Sequence, residues 1–426
     1  MNGERSVGIS DLSLYVPRPS MDLQRLLEHR VQQQPSIQRR LTRALETTGQ
    51  KSMRFPELWQ DNATLAAQAS RELLQRAGNN SLAKIRYLSV GTETSVDHSK
   101  PVAAYVEGML QRSGIDVPDS LSTFQVQHAC AGGTVAMMGV AAMLSLSLRT
   151  DESGLIVCSD IARYDAPSTA EITQGAGAVA LRIENNPRLL SLDLGTPGYC
   201  SRDVDDFFRP LGSTTAKVKG GYSVQCYHES LDSAFLDHCA RRDTAPETVL
   251  RETDMFVVHV PFYRMGITAM NNLLSKYISE DQTEIDAFLE QRGFYKALEP
   301  ASQVGNIYSG SAYMALMAQL AERYRTLGSD IVGQKVLLAS YGSGNTMVVL
   351  SMTVAPDAPK VIEQWNLDAV IASGRESALT EYEQWLEFPL DRGEYARRLD
   401  EAAVTQGEYY LAGIREDGYR EYEYRQ

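Results

Sequence analysis

A long, nearly uncharged stretch, residues 125–146 (QVQHACAGGTVAMMGVAAMLSL), constrains the fold more than any other part of the chain. Alternating apolar and polar residues at its start predict a short strand, and a turn at Ala129 and Cys130 leads into about five helical turns. A helix that is apolar on all faces lies inside a large fold rather than on its surface. Three glycines, Gly132, Gly133 and Gly139, each weaken the helix by roughly 1 kcal/mol, so we expect close approach of other segments to its backbone.

Cys130 is predicted to stand in the first turn of this helix. There the helix dipole and the free N–H groups favour a thiolate, which is the reactive form of cysteine. A free cysteine is more often a small buried hydrophobic residue, and that interpretation stays open for Cys130 considered alone. The position indicates a nucleophile delivered by a buried helix if partner groups are found elsewhere in the chain.

Composition narrows the class of protein. With 43% hydrophobic and 22% charged residues, the chain is an ordinary globular protein with an ample core. Its 426 residues allow up to three domains of about 150 residues or one duplicated α/β architecture. The net charge of -13 argues against nonspecific binding to nucleic acid or anionic membrane. We therefore expect any anionic ligand to be held by a local cluster of Lys, Arg and backbone N–H groups.

The expected compartment is the cytoplasm. The first ten residues lack the basic-then-apolar pattern of a signal sequence, and no apolar run is expected to span a bilayer, which takes about 20 residues. Five cysteines without CxxC spacing or nearby histidine pairs suggest neither a disulfide framework nor a zinc site. We expect no metal in the site and no membrane or nucleic-acid partner.

Strands alternating with helices indicate a layered α/β architecture, and the second half of the chain repeats the order of the first. Residues 254–260 are predicted to form a strand that carries His259 at its end, as residues 85–90 are predicted to form one that leads through Gly91 to Glu93. Equivalent turns of a duplicated fold lie face to face about a pseudo-twofold axis. We place the halves at residues 1–190 and 191–426, with an acidic, helical region at the C-terminus. The turns expected to meet carry Glu93, Cys130, His259, Asn306 and Gly342.

Eight short motifs carry a resemblance to a known family. They are GTETSVDHSK (91–100), HACAGGT (128–134), SDIARY (159–164), TQGAGAVAL (173–181), DDFFRP (205–210), HVPFYRMG (259–266), VGNIYSGS (304–311) and SYGSG (340–344). In these motifs and their order the chain resembles hydroxymethylglutaryl-CoA synthases of the thiolase superfamily.

The resemblance implies a thiolase-like duplicated α/β/α/β/α five-layer fold, a homodimer, and a site at the bottom of a pantetheine tunnel. It also implies that Cys130 is the nucleophile, Glu93 the acid/base and His259 the catalytic histidine. Two positions depart from the family pattern. Ala131 stands where Tyr is common and changes the pocket wall, and Arg264 stands where Lys is common and keeps a cation for a CoA phosphate.

The implied reaction condenses acetyl-CoA with acetoacetyl-CoA through an acetyl-cysteine, and water then releases 3-hydroxy-3-methylglutaryl-CoA. One carboxyl group, Glu93, can take the methyl proton and supply a proton to the new alkoxide. His259 and Asn306 are expected to donate hydrogen bonds to substrate oxygens, and N–H groups of Cys130 and of the 342–343 turn to form an oxyanion hole. No cofactor is expected. The positions that match supporting residues of the family are Thr173, Asp160, Asp206 and, on the loop, Gly342 and Ser343.

Each of these residues has a purely structural alternative, such as a capped turn for Glu93 or a hydrogen-bonded core position for His259. The nearest alternative function is polyketide β-branching on carrier-protein-bound substrates; a ketoacyl synthase, a non-catalytic acyl-CoA binding protein and a Cys/His hydrolase are further alternatives. A glutamate beside a Cys/His pair favours an aldol-type condensation. The TQGAGAVAL stretch without an insertion before it and the cation at Arg264 favour free CoA substrates. The mevalonate route to isoprenoids is the place that the family implies.

Overall fold

A computed structural model describes residues 6–388 and 401–426. Residues 1–5 of the N-terminal segment and residues 389–400 of the acidic C-terminal region lie outside this part, and so do the predictions made for them. The strands are Val7–Tyr15 (β1), Pro19–Asp22 (β2), Ser52–Arg54 (β3), Ile85–Gly91 (β4), Ser122–Val126 (β5), Ser153–Ala162 (β6), Gly175–Asn185 (β7), Leu190–Leu192 (β8), Gly198–Ser201 (β9), Phe207–Phe208 (β10), Lys217–Val218 (β11), Met255–Val258 (β12), Lys335–Gly342 (β13), Thr346–Val354 (β14), Arg375–Glu376 (β15), Tyr409–Ile414 (β16) and Arg420–Tyr424 (β17).

The α-helices alternate with these strands over most of the chain. They are Leu23–Gln33 (α1), Gln38–Thr48 (α2), Asn62–Ala77 (α3), Asn79–Leu82 (α4), Val102–Arg112 (α5), Gly132–Leu146 (α6), Gly220–Arg241 (α7), Pro246–Glu252 (α8), Tyr263–Tyr277 (α9), Gln282–Glu290 (α10), Phe294–Val304 (α11), Ser311–Leu327 (α12), Ala358–Ile362 (α13), Leu367–Ala372 (α14) and Leu379–Glu387 (α15).

One large sheet connects the two halves in the order β12-β13-β14-β8-β1-β7-β6-β4-β5, and β9 also pairs with β14. Each half contains a parallel pair followed by an antiparallel one: β4–β6 then β6–β7, and β12–β13 then β13–β14. The short strand β8 joins the halves, because Leu190 pairs with Ile9 of β1 and with Val354 of β14. The repeated pairing is the duplication that the sequence order predicted.

Helices cover both faces of each half of the sheet. In β6, Ser159 Oγ donates to the carbonyl of Asn62 in α3 (3.0 Å), whereas the preceding Cys158 lies against Gly133 of α6. In β13, Ser340 and Tyr341 likewise face opposite ways, towards α6 and α7. A hydrogen bond of 2.8 Å between α6 and α12 connects the two central helices. The layers are therefore α3 with α5, sheet, α6 with α12, sheet, and α7, which is the expected α/β/α/β/α order.

At two of the three helix glycines, another segment approaches the helix backbone closely, as predicted. A Cβ on Gly132 would lie 2.7 Å from the carbonyl oxygen of Val126, and a Cβ on Gly133 would lie 2.1 Å from Cys158 Sγ. The prediction was wrong for Gly139, which is exposed and where an added Cβ would meet nothing within 4 Å. Close backbone approach is thus confined to the N-terminal turn of α6, next to Cys130.

The expectation that no apolar run could span a bilayer needs correction. Residues Ala129–Leu146 have the length and apolar composition of a membrane span, and half of this window is buried inside the protein. Core helices of soluble proteins pass the same compositional test. In this fold α6 packs against β1, β4, β6 and β7, which is the position of a core helix.

Tertiary contacts give structure to two segments that the sequence does not specify fully. Residues 35–61 are polar and basic without a clear pattern, and the Tyr-rich end of the chain has the pattern of one strand followed by a tail. Residues 35–61 form α2 and β3, and β3 pairs with β2. The Tyr-rich end of the chain is a two-stranded hairpin, β16–β17, rather than one strand with a tail. This hairpin packs on α3 and α5, where Tyr105 contacts the rings of Tyr419 and Tyr422.

Candidate active site

Three parallel strands end side by side and deliver the first group of site residues. Gly91 of β4 pairs with Val126 of β5 and with Cys158 of β6. The carboxyl ends of adjacent parallel strands lie at one edge of a sheet. The residues that follow these strand ends therefore lie near one another, and they include Glu93 and Cys130.

The turn that carries Cys130 is tightly held. Ala129 has a φ of 40°, which is uncommon for a residue with a side chain. A Cβ on Gly342 would lie 2.4 Å from the carbonyl oxygen of His128, so only glycine allows the β13 loop to approach this turn. Cys130 precedes the first helical residue, Gly132, by two positions and does not lie within the first turn of α6.

The predicted thiolate at Cys130 is wrong for the unliganded protein. Burial, followed by the nearby carboxyl groups of Glu93 and Asp160, raises the pKa of the Cys130 thiol well above its usual 9.0. Desolvation and the negative charge of the carboxyl groups both disfavour the ionised sulfur. Together they outweigh the stabilisation of a thiolate that the helix N-terminus provides. The thiol therefore carries its proton in the resting state, and its reaction with a thioester requires a base.

His259 follows β12 directly and is 2% exposed. Its backbone N–H donates to the carbonyl oxygen of Ala339 (2.8 Å), and its own carbonyl accepts from the hydroxyl of Tyr227 (3.0 Å). Burial lowers the pKa of His259 to about 3, so the imidazole is neutral at physiological pH. Its Nδ1 has no hydrogen-bond partner within the part of the chain described here. A neutral imidazole with a free ring nitrogen can accept a proton or donate a hydrogen bond, according to its tautomer.

Asn306 follows α11 and is oriented by its own turn. Its carboxamide oxygen accepts hydrogen bonds from Tyr308 N (2.9 Å) and Ser311 Oγ (3.1 Å). Its backbone N–H donates to the carbonyl of Thr173 (3.2 Å). The carboxamide NH₂ is left as the group that Asn306 can offer to a ligand, as a donor to a substrate oxygen requires.

Asp160 connects the two halves behind the site. Its Oδ1 accepts from Thr92 Oγ1 (2.7 Å), Thr94 Oγ1 (2.8 Å) and the backbone N–H of Glu93 (3.0 Å). Its Oδ2 accepts from the backbone N–H (3.2 Å) and hydroxyl (2.8 Å) of Ser309. This carboxyl group therefore fixes the Glu93 turn relative to the turn that follows Asn306.

Asp206 has a similar position beneath the β13–β14 loop. It accepts hydrogen bonds from Tyr341 OH (2.9 Å), Gly344 N (2.8 Å) and Ser223 Oγ (3.0 Å). The loop held in this way contains Ser343. Asp160 and Asp206 thus occupy supporting positions and do not line the cavity described next.

A cavity of about 520 Å³ brings most of the predicted residues together. The predicted residues that line it are Cys130, Thr173, His259, Asn306 and Ser343. Its mouth includes residues Ala44, Thr47 and Thr48 of α2, from the segment that gave no clear pattern. Arg264 is exposed beside Gly49 at the end of α2 and does not line the cavity.

Glu93 does not line this first cavity; it borders a second one of about 290 Å³. Burial raises the pKa of Glu93 to about 8, which the charge of Arg209 counteracts and that of Asp160 reinforces. Arg209 Nη1 donates to the Glu93 carbonyl (2.6 Å), and Arg209 Nη2 lies 3.9 Å from Glu93 Oε1. The Glu93 carboxyl is nevertheless close enough to Cys130 to raise the pKa of the thiol.

Aromatic residues that were not singled out from the sequence line the first cavity, close to a cation that borders the second. Tyr308 and Phe207 line the first cavity with ring centroids 5.8 Å apart, and Tyr164 lies 6.4 Å from Phe207. The guanidinium of Arg209 lies 6.0 Å from the centre of the Tyr308 ring, on the side of the second cavity. Phe207 and Arg209 belong to the motif DDFFRP, and this motif was the signal that the sequence offered for them. The structure adds that Arg209 is a largely buried cation next to the predicted carboxylate of Glu93.

In residues 6–388 and 401–426, no group of three or more His, Cys, Asp or Glu side chains is arranged to hold a metal ion. The chemistry that the described site supports is transfer of an acyl group to a thiol, with a carboxyl group nearby that can exchange a proton.

Comparisons with known proteins show similarity to one family over most of the chain. Models of the N-terminal and C-terminal parts of hydroxymethylglutaryl-coenzyme A synthase match residues 4–187 and 266–425. The hydroxymethylglutaryl-CoA synthase of Enterococcus faecalis is 28% identical over 409 residues, which cover 96% of this chain and 97% of that protein. A solved structure of MvaS in complex with 3-hydroxy-3-methylglutaryl coenzyme A is 30% identical and covers 100% of both chains, with a TM-score of 0.84. The HMG synthase of the curacin biosynthetic pathway, at 22% identity, 98% and 100% coverage and a TM-score of 0.84, shares the fold.

Proposed function

Because this chain belongs to the hydroxymethylglutaryl-CoA synthase family of acyl-CoA condensing enzymes, we propose that Cys130, Glu93 and His259 carry out its reaction. The enzyme condenses acetyl-CoA with acetoacetyl-CoA and releases 3-hydroxy-3-methylglutaryl-CoA and CoA. The observation that carries the residue assignment is one cavity lined by Cys130, His259 and Asn306, with the Glu93 carboxyl close enough to act on the sulfur electrostatically.

In the first step the sulfur of Cys130 attacks the acetyl carbonyl, and CoA leaves as a thiol. The proton of the resting thiol passes to the departing CoA sulfur, and the neutral imidazole of His259 suits the role of relay because its Nδ1 has no hydrogen-bond partner among the described residues. With a pKa of about 3, His259 is too weak a base to keep this proton. The acetyl oxygen develops negative charge during this step. Backbone N–H groups of the Cys130 turn and of the loop at Ser343 are suited to receive it.

In the second step Glu93 removes a proton from the acetyl methyl group, and the resulting carbanion adds to the ketone of acetoacetyl-CoA. The carboxyl proton then passes to the new alkoxide, so Glu93 ends this step ionised as it began. A carboxylate whose conjugate acid has a pKa of about 8 is a far stronger base than an ordinary glutamate. Because this pKa is close to neutral pH, the group can both take up and release a proton. The NH₂ of Asn306 and the imidazole of His259 polarise the substrate oxygens.

The substrate class is a phosphorylated pantetheine thioester. The helix α2 borders the cavity mouth and carries three exposed arginines, Arg39, Arg40 and Arg43, in a chain whose net charge is -13. Such a local cationic cluster is what a CoA phosphate requires. Arg264 lies beside the end of the same helix and extends this cluster.

A homodimer is supported by the surface around one end of the sheet. The strand β5 is the end of the large sheet, and α6 next to it exposes Val135 (38%) and Leu146 (83%). An open sheet edge beside exposed apolar side chains favours association with another chain, here a second copy. A cytoplasmic location is supported by the five cysteines, none of which is paired in a disulfide in the described residues. The expected absence of any cofactor stays a prediction.

The assignment is tested by mass analysis of the Cys130 peptide after incubation with acetyl-CoA, followed by addition of acetoacetyl-CoA. An acetylated peptide that is consumed as 3-hydroxy-3-methylglutaryl-CoA appears supports the proposal. Replacing free acetoacetyl-CoA by its carrier-protein-bound form addresses the alternative of polyketide β-branching. A large preference for the carrier-bound substrate would overturn the assignment to free CoA thioesters.

A further inference from the structure

The last step of the proposed reaction needs water, and the first cavity alone does not provide a path for it. Hydrolysis of the product thioester at Cys130 consumes one water molecule and yields Cys130 as a thiol, a carboxylate and one proton. At that stage the pantetheine chain of the second substrate still occupies the first cavity. Water must therefore enter, and a proton must leave, by another route or wait for the product to dissociate.

The second cavity reaches Glu93. Glu93 keeps 8% of its side chain exposed, and it borders the second cavity but not the first. The two spaces lie close together, because Arg209 of the second cavity lies 6.0 Å from the ring of Tyr308, which lines the first. At about 290 Å³ the second cavity has room for several water molecules.

The lining of the second cavity is polar and incompletely satisfied. Four residues that border it each carry a buried nitrogen or oxygen without a hydrogen-bond partner in the described part of the chain: Asn62 Oδ1, Glu93 Oε1, Arg163 Nε, and Arg209 Nε and Nη2, although Arg209 Nη2 lies 3.9 Å from Glu93 Oε1. Buried polar atoms are normally paired with protein or with ordered water. Unpaired donors and acceptors grouped around one polar space are typical of a water-filled site.

A single segment contributes side chains to both cavities. Residues 207–218, between β10 and β11, contribute Phe207 and Val218 to the first cavity and Arg209 and Thr214 to the second. The side chain of Thr214 is exposed at the rim, as is that of Ser95 on the Glu93 turn. The cavity is therefore open to solvent at positions where a bulky side chain can be introduced.

We propose that the second cavity is the route by which water reaches Glu93, and by which its proton leaves, while a thioester occupies the first cavity. The ligand of this site is water, hydrogen-bonded to Arg209 and to the Glu93 carboxyl. Ionised Glu93 takes a proton from this water as the oxygen attacks the thioester carbonyl, and the C–S bond breaks. The sulfur of Cys130 receives the proton held by Glu93, and the new carboxylic acid then gives its proton to Glu93, from which it leaves through the second cavity. The inference rests on the role proposed above for Glu93.

The test uses two variants that fill the second cavity from different segments, Thr214→Trp and Ser95→Trp, and one matched control. The control, Phe208→Trp, enlarges an exposed aromatic side chain on the same 207–218 segment, and Phe208 lines neither cavity. Two steps that need solvent are measured: exchange of acetyl methyl hydrogens in D₂O and hydrolysis of the product thioester at Cys130. We expect both rates to fall about tenfold or more in the filled variants and to stay normal in the control.

Acetylation of Cys130 by acetyl-CoA provides the check on folding. It uses only the first cavity, so all three variants should acetylate as the unaltered protein does, and the filled variants should accumulate product on Cys130. Normal exchange and hydrolysis in both filled variants would overturn the inference, as would a parallel loss of acetylation. Glu93→Gln separates failure of the proposed function from failure of the water route. If Glu93→Gln condenses normally, the role proposed for Glu93 is wrong. If Glu93→Gln fails to condense but the filled variants behave normally, only the water route is wrong.

Discussion

Replacing Glu93 by Gln should stabilise the folded protein, by an amount that grows as pH rises. The pKa of Glu93 is raised from its usual 4.5 to about 8, chiefly by burial. Between these two pH values the folded state keeps the proton and the unfolded state has lost it, so stability falls with rising pH. Gln has nearly the shape of the neutral carboxyl group and does not ionise. The variant therefore does not lose stability in this way. In the unaltered protein the loss of unfolding free energy begins above about pH 4.5 and is complete above about pH 8.

The magnitude follows from the separation of the two pKa values. At about 1.4 kcal/mol for each pH unit, the difference between variant and unaltered protein reaches about 3 kcal/mol at pH 7 and about 5 kcal/mol above pH 8. An unfolding entropy of ~2.1 cal/mol/K per residue gives ~0.9 kcal/mol/K for a chain of this length. Each kcal/mol thus shifts Tm by about 1 °C, and the variant should melt about 3 °C higher at pH 7 and about 5 °C higher above pH 8.

Scanning calorimetry of both proteins from pH 5 to pH 9 measures this difference. A matched control is Glu280→Gln, which makes the same chemical change at an exposed position. A Tm difference that grows between pH 5 and pH 8 for Glu93→Gln and stays flat for the control is the expected result. A difference independent of pH would refute the claim that burial holds a proton on Glu93.

Four further variants test the site residue by residue. Arg209→Gln removes the charge that lowers the pKa of Glu93, so the pH of half-maximal methyl exchange in D₂O should move upward by about one pH unit; an unchanged profile would exclude this electrostatic role. Asp160→Ala removes the acceptor that fixes the Glu93 turn, and condensation should fall about 100-fold with a much smaller effect on acetylation in a single-turnover assay. Gly342→Ala places a methyl group against the Cys130 turn, so the acetylation burst should slow by about 100-fold, and a normal burst would contradict the close approach. Cys130→Ser should yield no acetylated peptide in the mass spectrum.

The features that could be predicted from the sequence are those with a local pattern. The alternation of strands with helices located β4 and β12. The repeated order of these elements placed His259 and Asn306 opposite Cys130, and all three residues line one cavity. The apolar composition of residues 125–146 indicated a core helix, and the close approach at Gly132 and Gly133 followed from their cost to that helix. Periodicity and turn residues carry this information because they depend on neighbours in the chain.

The features that escaped prediction depend on contacts that are distant in sequence. The mouth helix α2 lacked a clear sequence pattern and is positioned by its neighbours α1 and α9. The thiol state of Cys130 was predicted from a local feature, the helix N-terminus, and was reversed by burial and by carboxyl groups contributed by Glu93 and Asp160. That Glu93 faces a second cavity follows from the 207–218 segment, which lies more than a hundred residues away.

The shared burial of Cys130 and Glu93 also sets the order in which they can act. Each group in its charged form opposes ionisation of the other, since Glu93 is among the causes that raise the pKa of the thiol. At neutral pH the resting site therefore holds a thiol and a largely protonated carboxyl group. An ionised Glu93 and a thiolate at Cys130 therefore disfavour each other, whereas an ionised Glu93 and an uncharged acetyl thioester do not. Glu93 can thus act as a base beside the acetylated sulfur without this repulsion, at the stage when a methyl group is present.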